Sequence, residues 1–540
     1  METTAYTKKE LDPLSKDELM TLYLEHTGSM RKQIELLSET VALLKQLRYG
    51  RKSEKSSADP NQYTMDFETG ECVLNEAEAI KDENPETPEP GVETVVKKRP
   101  VRKKGSREVI FGDLPRRDVV HELSAEELSR LFPGGYRRLP DETYSELDLH
   151  PENFEVLDHH VAVYAANGED RIVRADRPVR LFAHSMATPG LVADIITDKF
   201  MLGLPYNRIS TLYRMSGADI PGQSLARWCI MASDMYLHEV YDEMHRDMVR
   251  NSMLIHADES PFKVTEEMKE RGPDSKCYMW VYHTDTGYGS HPIFLYEYCP
   301  TRKAENPEKF LEGYSGILMT DGYQAYHRLE ADHPGELKVA GCWAHAKRRF
   351  KALIKSDRKR FAKGTTAYEA HARIQAIYHA DNMYKDLGNA ERLKMRQANV
   401  KPLVDAFFEY LKNKQPMLDS SSETGRAVNY CLNQEKYLRV FLTDGMVPLD
   451  NNDAERSIRT FCVGRANWHL VNSKSGAKAS GICLSITETA KANGLNVQKY
   501  IKYVLEQLSQ KTGVHTHGFI KKLLPWSEGL PKELYIKSKD

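Results

Sequence analysis

Between residues 253 and 355 the chain runs through five short apolar stretches whose order leaves few architectures open. Residues 253–257, 278–283 and 292–296 follow one another with short links and predict a meander, with a helix expected near 307–314. Residues 316–320 and 337–341 then alternate with helices, the second leading into a basic helix over 344–355. A meander that gives way to strand–helix alternation predicts a mixed sheet with helices packed on it. The stretch 355–441 is rich in Ala, Lys, Glu and Leu and reads as a helical insertion that interrupts this core.

Three acidic residues stand at informative places in that frame. Asp258 and Asp321 follow the apolar runs 253–257 and 316–320, and Glu455 opens a helical segment after Asp450-Asn451-Asn452-Asp453-Ala454. Carboxylates gathered at one sheet edge need cations, and hard divalent ions such as Mg²⁺ or Mn²⁺ take oxygen ligands. Two such ions suit in-line phosphoryl displacement, the chemistry of nucleic-acid strand cleavage and joining. Asp258 and Glu259 both qualify in the first motif, because adjacent strand residues face opposite ways and only one can meet the metals. Asp450 and Asp453 leave a similar choice in the third, where Asn451 or Asn452 is a candidate helix cap.

A chain of 540 residues exceeds what one core usually supports. No apolar run reaches membrane-spanning length, and the N-terminus has no signal-peptide pattern, so a cytoplasmic protein without a membrane partner is expected. Eight scattered cysteines without a CxxC pair argue for reduced thiols. The net charge of −2 gives nucleic acid no support, but its distribution does. Lys97, Lys98, Arg99, Arg102, Lys103, Lys104 and Arg107 follow an acidic, proline-rich stretch, and Lys347, Arg348, Arg349, Lys351, Lys355, Arg358, Lys359 and Arg360 form a second concentration. Each is either a solvated face or a phosphate-contacting surface.

Met30, Ile34, Leu37, Val41 and Leu44 alternate steps of four and three, the rhythm of a short coiled coil or of an amphipathic helix packed on its own protein. The expected organisation is an N-terminal helix (1–55), an acidic then basic linker (56–107), a small β-containing module (108–180) and a helical region (181–245). The core follows (246–356), then the helical insertion (357–441), the second part of the core carrying Glu455 (442–510) and a tail (511–540). Within 181–245, helices over 191–202, 206–215 and 224–232 with Gly217 in a turn match a helix-turn-helix DNA reader, with Arg227 on its last helix; a purely structural bundle has the same pattern.

His256-Ala257-Asp258-Glu259-Ser260-Pro261, Thr320-Asp321-Gly322-Tyr323, Gly341-Cys342-Trp343-Ala344-His345-Ala346, Asp450 to Arg456 and Glu488-Thr489-Ala490-Lys491-Ala492-Asn493-Gly494 occur in this order. Together with Leu114 to Leu123, Ala187-Thr188-Pro189-Gly190-Leu191 and Tyr49 to Lys55, they resemble the insertion-sequence-66 family of bacterial DDE transposases over nearly the whole chain. The resemblance implies a multidomain α+β protein with a ribonuclease H-like core, in which Asp258, Asp321 and Glu455 hold two Mg²⁺ or Mn²⁺ ions. It implies a supporting role for His345 near the active site. Its DNA partners are the terminal inverted repeats of its own element and target DNA. Phosphate contacts would come from the basic tract, Arg227, Lys347, Arg348, Arg349, Arg456 and Arg459. A homodimer or higher oligomer on DNA, small accessory proteins of the same element and a place on the bacterial nucleoid follow from the same likeness. Family members commonly carry a zinc module with paired cysteines; residues 108–180 contain no cysteine, so no zinc is expected there. The alternatives are a domesticated DNA-binding protein and a metal-dependent nuclease of the same fold.

Overall fold

The computed structural model describes residue 111 and residues 114–536, save 151–152, 168–171, 290 and 512, together with the backbone of two short paired strands, β1 (Thr64–Asp66) and β2 (Glu71–Val73). The heptads at 30–44 and the basic tract at 97–107 lie outside the described residues. The described chain forms two compact units, a smaller one of Ser315–Asn452 and a larger one of Pro60–Tyr314 with Asp453–Asp540. No helix among the described residues is long and apolar enough to cross a membrane.

The larger unit begins with the cysteine-free module. Its strands β3 (Arg116–His121), β4 (Tyr136–His150) and β5 (Asn153–Ala166) form a sheet in which β5 is central, parallel to β3 and antiparallel to β4; β6 (Ile172–Arg174) also pairs with β5. Helix α1 (Ala125–Leu131) opens with a capping box between Ser124 and Glu127 and packs Leu128, with Phe132, against Val161, Ala162 and Tyr164. On the sheet, the Arg180 guanidinium lies 3.7 Å over Tyr144, Tyr144 stacks on His159 at 4.4 Å, and His159 stacks on His121 at 5.4 Å. His159 Nδ1 and His121 Nε2 are in hydrogen-bond contact at 3.0 Å, and His159 Nε2 lies 3.0 Å from Glu146. This layered stack ties β3, β4 and β5 together through side chains in a module that has no cysteine. Elemental analysis of the purified protein should find no stoichiometric zinc. One zinc per chain that disappears on His159→Ala substitution would overturn that expectation.

Four helices follow: α2 (Pro189–Ile196), α3 (Tyr206–Met215), α4 (Gly222–Ala232) and α5 (His238–Asn251). The motif Thr188-Pro189-Gly190 is legible as a helix start: the Thr188 hydroxyl caps the Leu191 amide at 3.2 Å and itself donates to Asp148. Helix α2 continues as a π turn over Thr197–Met201. Gly217, at φ +90°, makes the left-handed turn between α3 and α4.

Next come β7 (Leu254–Val264), α6 (Thr265–Arg271), β8 (Cys277–Thr284), β9 (Ile293–Cys299) and α7 (Glu305–Phe310), with β7, β8 and β9 antiparallel in sequence order. The meander is as expected. Helix α6 was not, because Glu267 is its one buried residue and it carries no apolar stripe.

The smaller unit holds the parallel pair β10 (Gly316–Thr320) and β11 (Leu337–Gly341), joined by α8 (Gln324–Asp332), and then α9 (Trp343–Ser356). The expected insertion is helical, with α10 (Thr366–Asn382), α11 (Asn389–Met395), α12 (Lys401–Lys414), α13 (Glu423–Asn433) and α14 (Glu435–Leu438). Trp343 packs among Phe407, Phe408 and Phe441.

Back in the larger unit, α15 (Asn452–Trp468) leads to β12 (Leu470–Val471), which lies parallel to β7 and makes that sheet mixed. Helices α16 (Lys474–Ala492), α17 (Val497–Gln510) and α18 (His517–Lys521) complete the chain. Helix α16 covers the open edge of β9. Ser485 Oγ accepts from the Tyr296 amide at 2.8 Å, and Thr489 Oγ1 both accepts from the Phe294 amide and donates to its carbonyl at 3.0 Å. Gly481 permits this approach, since a Cβ there would meet the Tyr296 carbonyl oxygen at 2.7 Å. The segment read as a tail packs its buried Leu523, Leu524, Leu530 and Leu534, and the Leu523 carbonyl accepts from Tyr500 at 2.7 Å.

Candidate active site

Asp258 stands in the middle of β7, where the apolar run had placed it just past a strand end. The polar triplet Asp258-Glu259-Ser260 looks like a terminus, but each side chain is satisfied inside the sheet. Glu259 accepts from Arg302 Nε at 2.7 Å, Ser260 Oγ accepts from Arg465 at 3.2 Å and lies 3.3 Å from Cys462 Sγ, and Asp258 Oδ1 accepts from the Glu259 amide at 2.9 Å.

Register then settles which acid faces which way. Asp258 lies opposite Val281, and Val281 opposite Tyr296. Residues directly opposite in a sheet share a face. Tyr296 donates its hydroxyl to the Ser457 carbonyl of α15 at 2.7 Å, so Asp258 faces α15 and Glu259 turns with its arginine to the other side. Glu455, half-buried, is in the first turn of that same helix, two residues before Ser457. Aromatic packing of Phe262 on Phe461 and the reach of Arg465 to the Pro261 carbonyl fix the helix over the strand. His283, opposite His256 in the register, is held down to about 3 by burial and by the nearby His256 and Arg456 charges, and so stays neutral.

In the smaller unit, Asp321 directly follows β10, and its Oδ1 accepts from the Tyr323 amide at 2.9 Å, a tight acidic turn. Gly322 is required there, because a Cβ would meet the Tyr430 ring and hydroxyl at 2.9 Å. Burial and the Asp321 charge both raise the Tyr430 phenol above its usual value. Nothing in the sequence pattern points to Tyr430.

Cys342, which reads as core, is buried and also accepts from the Asn451 amide at 3.2 Å. Trp343 N donates to Leu449 O at 2.9 Å, and Tyr378 donates its hydroxyl to Asp450 at 3.0 Å. Asp450 is therefore tied into the fold of its own unit. Further back, the fully buried Arg396 donates to the Phe441, Asp444 and Val447 carbonyls at 2.8, 2.9 and 2.8 Å and to Asp381 at 2.6 Å. The helical insertion thus holds the segment that runs into the Glu455 helix. His345 is half-buried in the first turn of α9.

The basic residues divide by surroundings. Lys347 lies 4.7 Å over Tyr378 and Arg349 4.0 Å over Tyr430, so Arg349 packs within its unit. Lys347, Lys351 and Lys355 recur every four residues on α9, and burial and the charges of Lys355, Lys347 and Arg348 lower the Lys351 amine. Arg456 is exposed and pairs with Asp453, Arg459 is half-buried, and Arg227 is exposed on α4.

Residues 184–479 match the family model described as the transposase IS66 family, a DDE transposase domain spanning more than half of the chain. The chain belongs to the IS66 transposase family. Residues 36–119 match the model described as "Transposase C of IS166 homeodomain", and 485–526 the IS66 C-terminal element. Three proteins of Sinorhizobium fredii strain NGR234 are similar over nearly their whole length. The uncharacterized protein y4hP is 28% identical over 498 residues (90% of this chain, 87% of the relative), and y4qI 25% over 510 (92% and 90%). The third, y4jD, is 26% identical over 509 residues (92% and 95%). Membership of a DDE transposase family implies use of a divalent metal.

Proposed function

We propose that this chain is the transposase of its own insertion sequence, binding the terminal inverted repeats, cutting DNA there and joining the ends to a target. The observation that supports the reading is that Asp258 lies on the sheet face against which α15, the helix carrying Glu455 in its first turn, packs. Asp321 joins them through the order of motifs that the family shares. We read the sheet and its helices as a ribonuclease H-like core.

Buried and half-buried carboxylates are the hard oxygen donors that Mg²⁺ or Mn²⁺ takes, so the residues fit the implied cation. Bound there, a pair of such ions would stabilise charge building on the attacking and leaving phosphate oxygens. The chain's own part is positional. Arg302 keeps Glu259 out of the site, Tyr296 fixes the height of α15 over the sheet, and Cys342 and Tyr378 hold the segment that leads to Glu455. Lys347, Arg348 and Lys351 would hold substrate phosphates, with Arg456, Arg459 and Arg227 as further contacts. His345 would support the site from the first turn of α9. Strand-transfer assays on paired end sequences test the reading; cleavage without joining would reduce it to a nuclease.

The match described as a homeodomain falls on 36–119 and includes the basic tract. Replacing Lys97, Lys98, Arg99, Lys103 and Lys104 with alanine should weaken end binding at 0.1 M salt by more than tenfold. The slope of log affinity against log salt should flatten by about 0.9 for each phosphate contact removed. Unchanged slope would place the phosphate contacts elsewhere. Deleting residues 1–47 should leave single-end binding intact and impair pairing of two ends, measured by gel shift of two-end complexes. Normal pairing would end the dimerisation reading of the heptads.

A further inference from the structure

Lys199 lies on the π turn that follows α2, in a chain position where such turns often accompany function. It is 6% exposed, and its Nζ sits 4.7 Å from the Tyr206 ring centroid and 4.6 Å from that of Trp468. Among the described residues it makes no hydrogen bond or ion pair, and burial lowers its amine to about 7. Two ring faces compensate part of the lost hydration of an ammonium, and no carbonyl or side chain among the described residues accepts from it.

A cavity of about 160 Å³ opens beside this amine. Phe200, Ile230, Trp468, Leu470 and Val471 form apolar walls, and Asn472 stands at the exposed rim. The shape asks for a guest with flat apolar faces and a hydrogen-bond acceptor on one edge. A paired base hides its faces in the stack and its acceptors in the pair; an unpaired base offers both. Trp468 is also the last residue of α15, thirteen residues after Glu455, which is about 20 Å along the helix axis. A strand held at Glu455 and running along α15 would reach the cavity mouth within a few nucleotides.

We propose that the Lys199 cavity takes one unpaired nucleobase of bound DNA, its ring between the apolar walls and its acceptor edge on the Lys199 amine. This rests on the transposase reading. Capture of the base about 20 Å along α15 from Glu455 favours a locally opened duplex over a closed one.

The test compares three DNA duplexes bound by the full-length chain. One is blunt, one has a three-nucleotide single-stranded overhang, and one has the same overhang with abasic sugars. By the worth of one stacked base, the base-bearing overhang should bind about tenfold tighter than the abasic one. Lys199→Met and Trp468→Leu should each abolish that difference while leaving blunt-duplex affinity and thermal melting near wild type. Equal affinity of wild type for the two overhangs overturns the base site and leaves the transposase reading standing. A difference that survives in both variants places the base elsewhere and also overturns it. Failure to bind any of the three duplexes at low salt overturns both readings together.

Discussion

Replacing Asp258, Asp321 or Glu455 with alanine, one at a time, should lower Mg²⁺-dependent cleavage of end DNA by about a thousandfold or more. Affinity for the same DNA should stay within about threefold. The ligands serve chemistry, and losing several kcal/mol of stabilisation of the transferring phosphate costs about one power of ten per 1.4 kcal/mol. Cleavage assays alongside gel shifts check this, and near-normal cleavage in any variant removes that residue from the triad. Glu259→Gln is the contrasting variant. Because Glu259 pairs with Arg302 on the opposite face, its loss should lower stability by about 1–3 kcal/mol and leave metal dependence of cleavage unchanged.

Arg396→Met should be the most destabilising single substitution in the smaller unit, at about 3–5 kcal/mol. It leaves the Asp381 carboxylate buried with Arg392 alone and takes the Arg396 donor from the Phe441, Asp444, Gly445 and Val447 carbonyls. Urea titration of the full chain should show the transition of this unit moved to lower denaturant; an unshifted midpoint would mean the loop repacks. The pair also predicts an acid limb. Burial would raise the Asp381 carboxyl, but hydrogen bonds and charge from Arg396 and Arg392 overcome it and hold the carboxyl below its usual value. A carboxylate lowered on folding stabilises at pH above its unfolded value, about 3.9. That contribution is present at neutral pH, shrinks below about pH 4, and is gone once the pH falls through the folded-state value. The Arg396→Met variant should show less of this loss.

Periodicity and composition determined the element order: the strands at 316–320 and 337–341 and the helix 206–215 stand where their apolar patterns put them, because such runs have one way to bury themselves. The order of short motifs carried the family and the candidate acids. The length of β7 was beyond the sequence, since Asp258, Glu259 and Ser260 are tolerable in a buried strand only through Arg302 and Arg465, which are distant in the chain. The same holds for the roles of Tyr430, Tyr378 and Arg396, which have no local pattern and gain meaning from what they touch. Lys199 is the clearest case. In sequence it is one lysine after an apolar helix. Only the packing of Tyr206 and Trp468 around it makes it a buried amine at a cavity, because burial and pairing of a charge are properties of the surroundings and not of the residue.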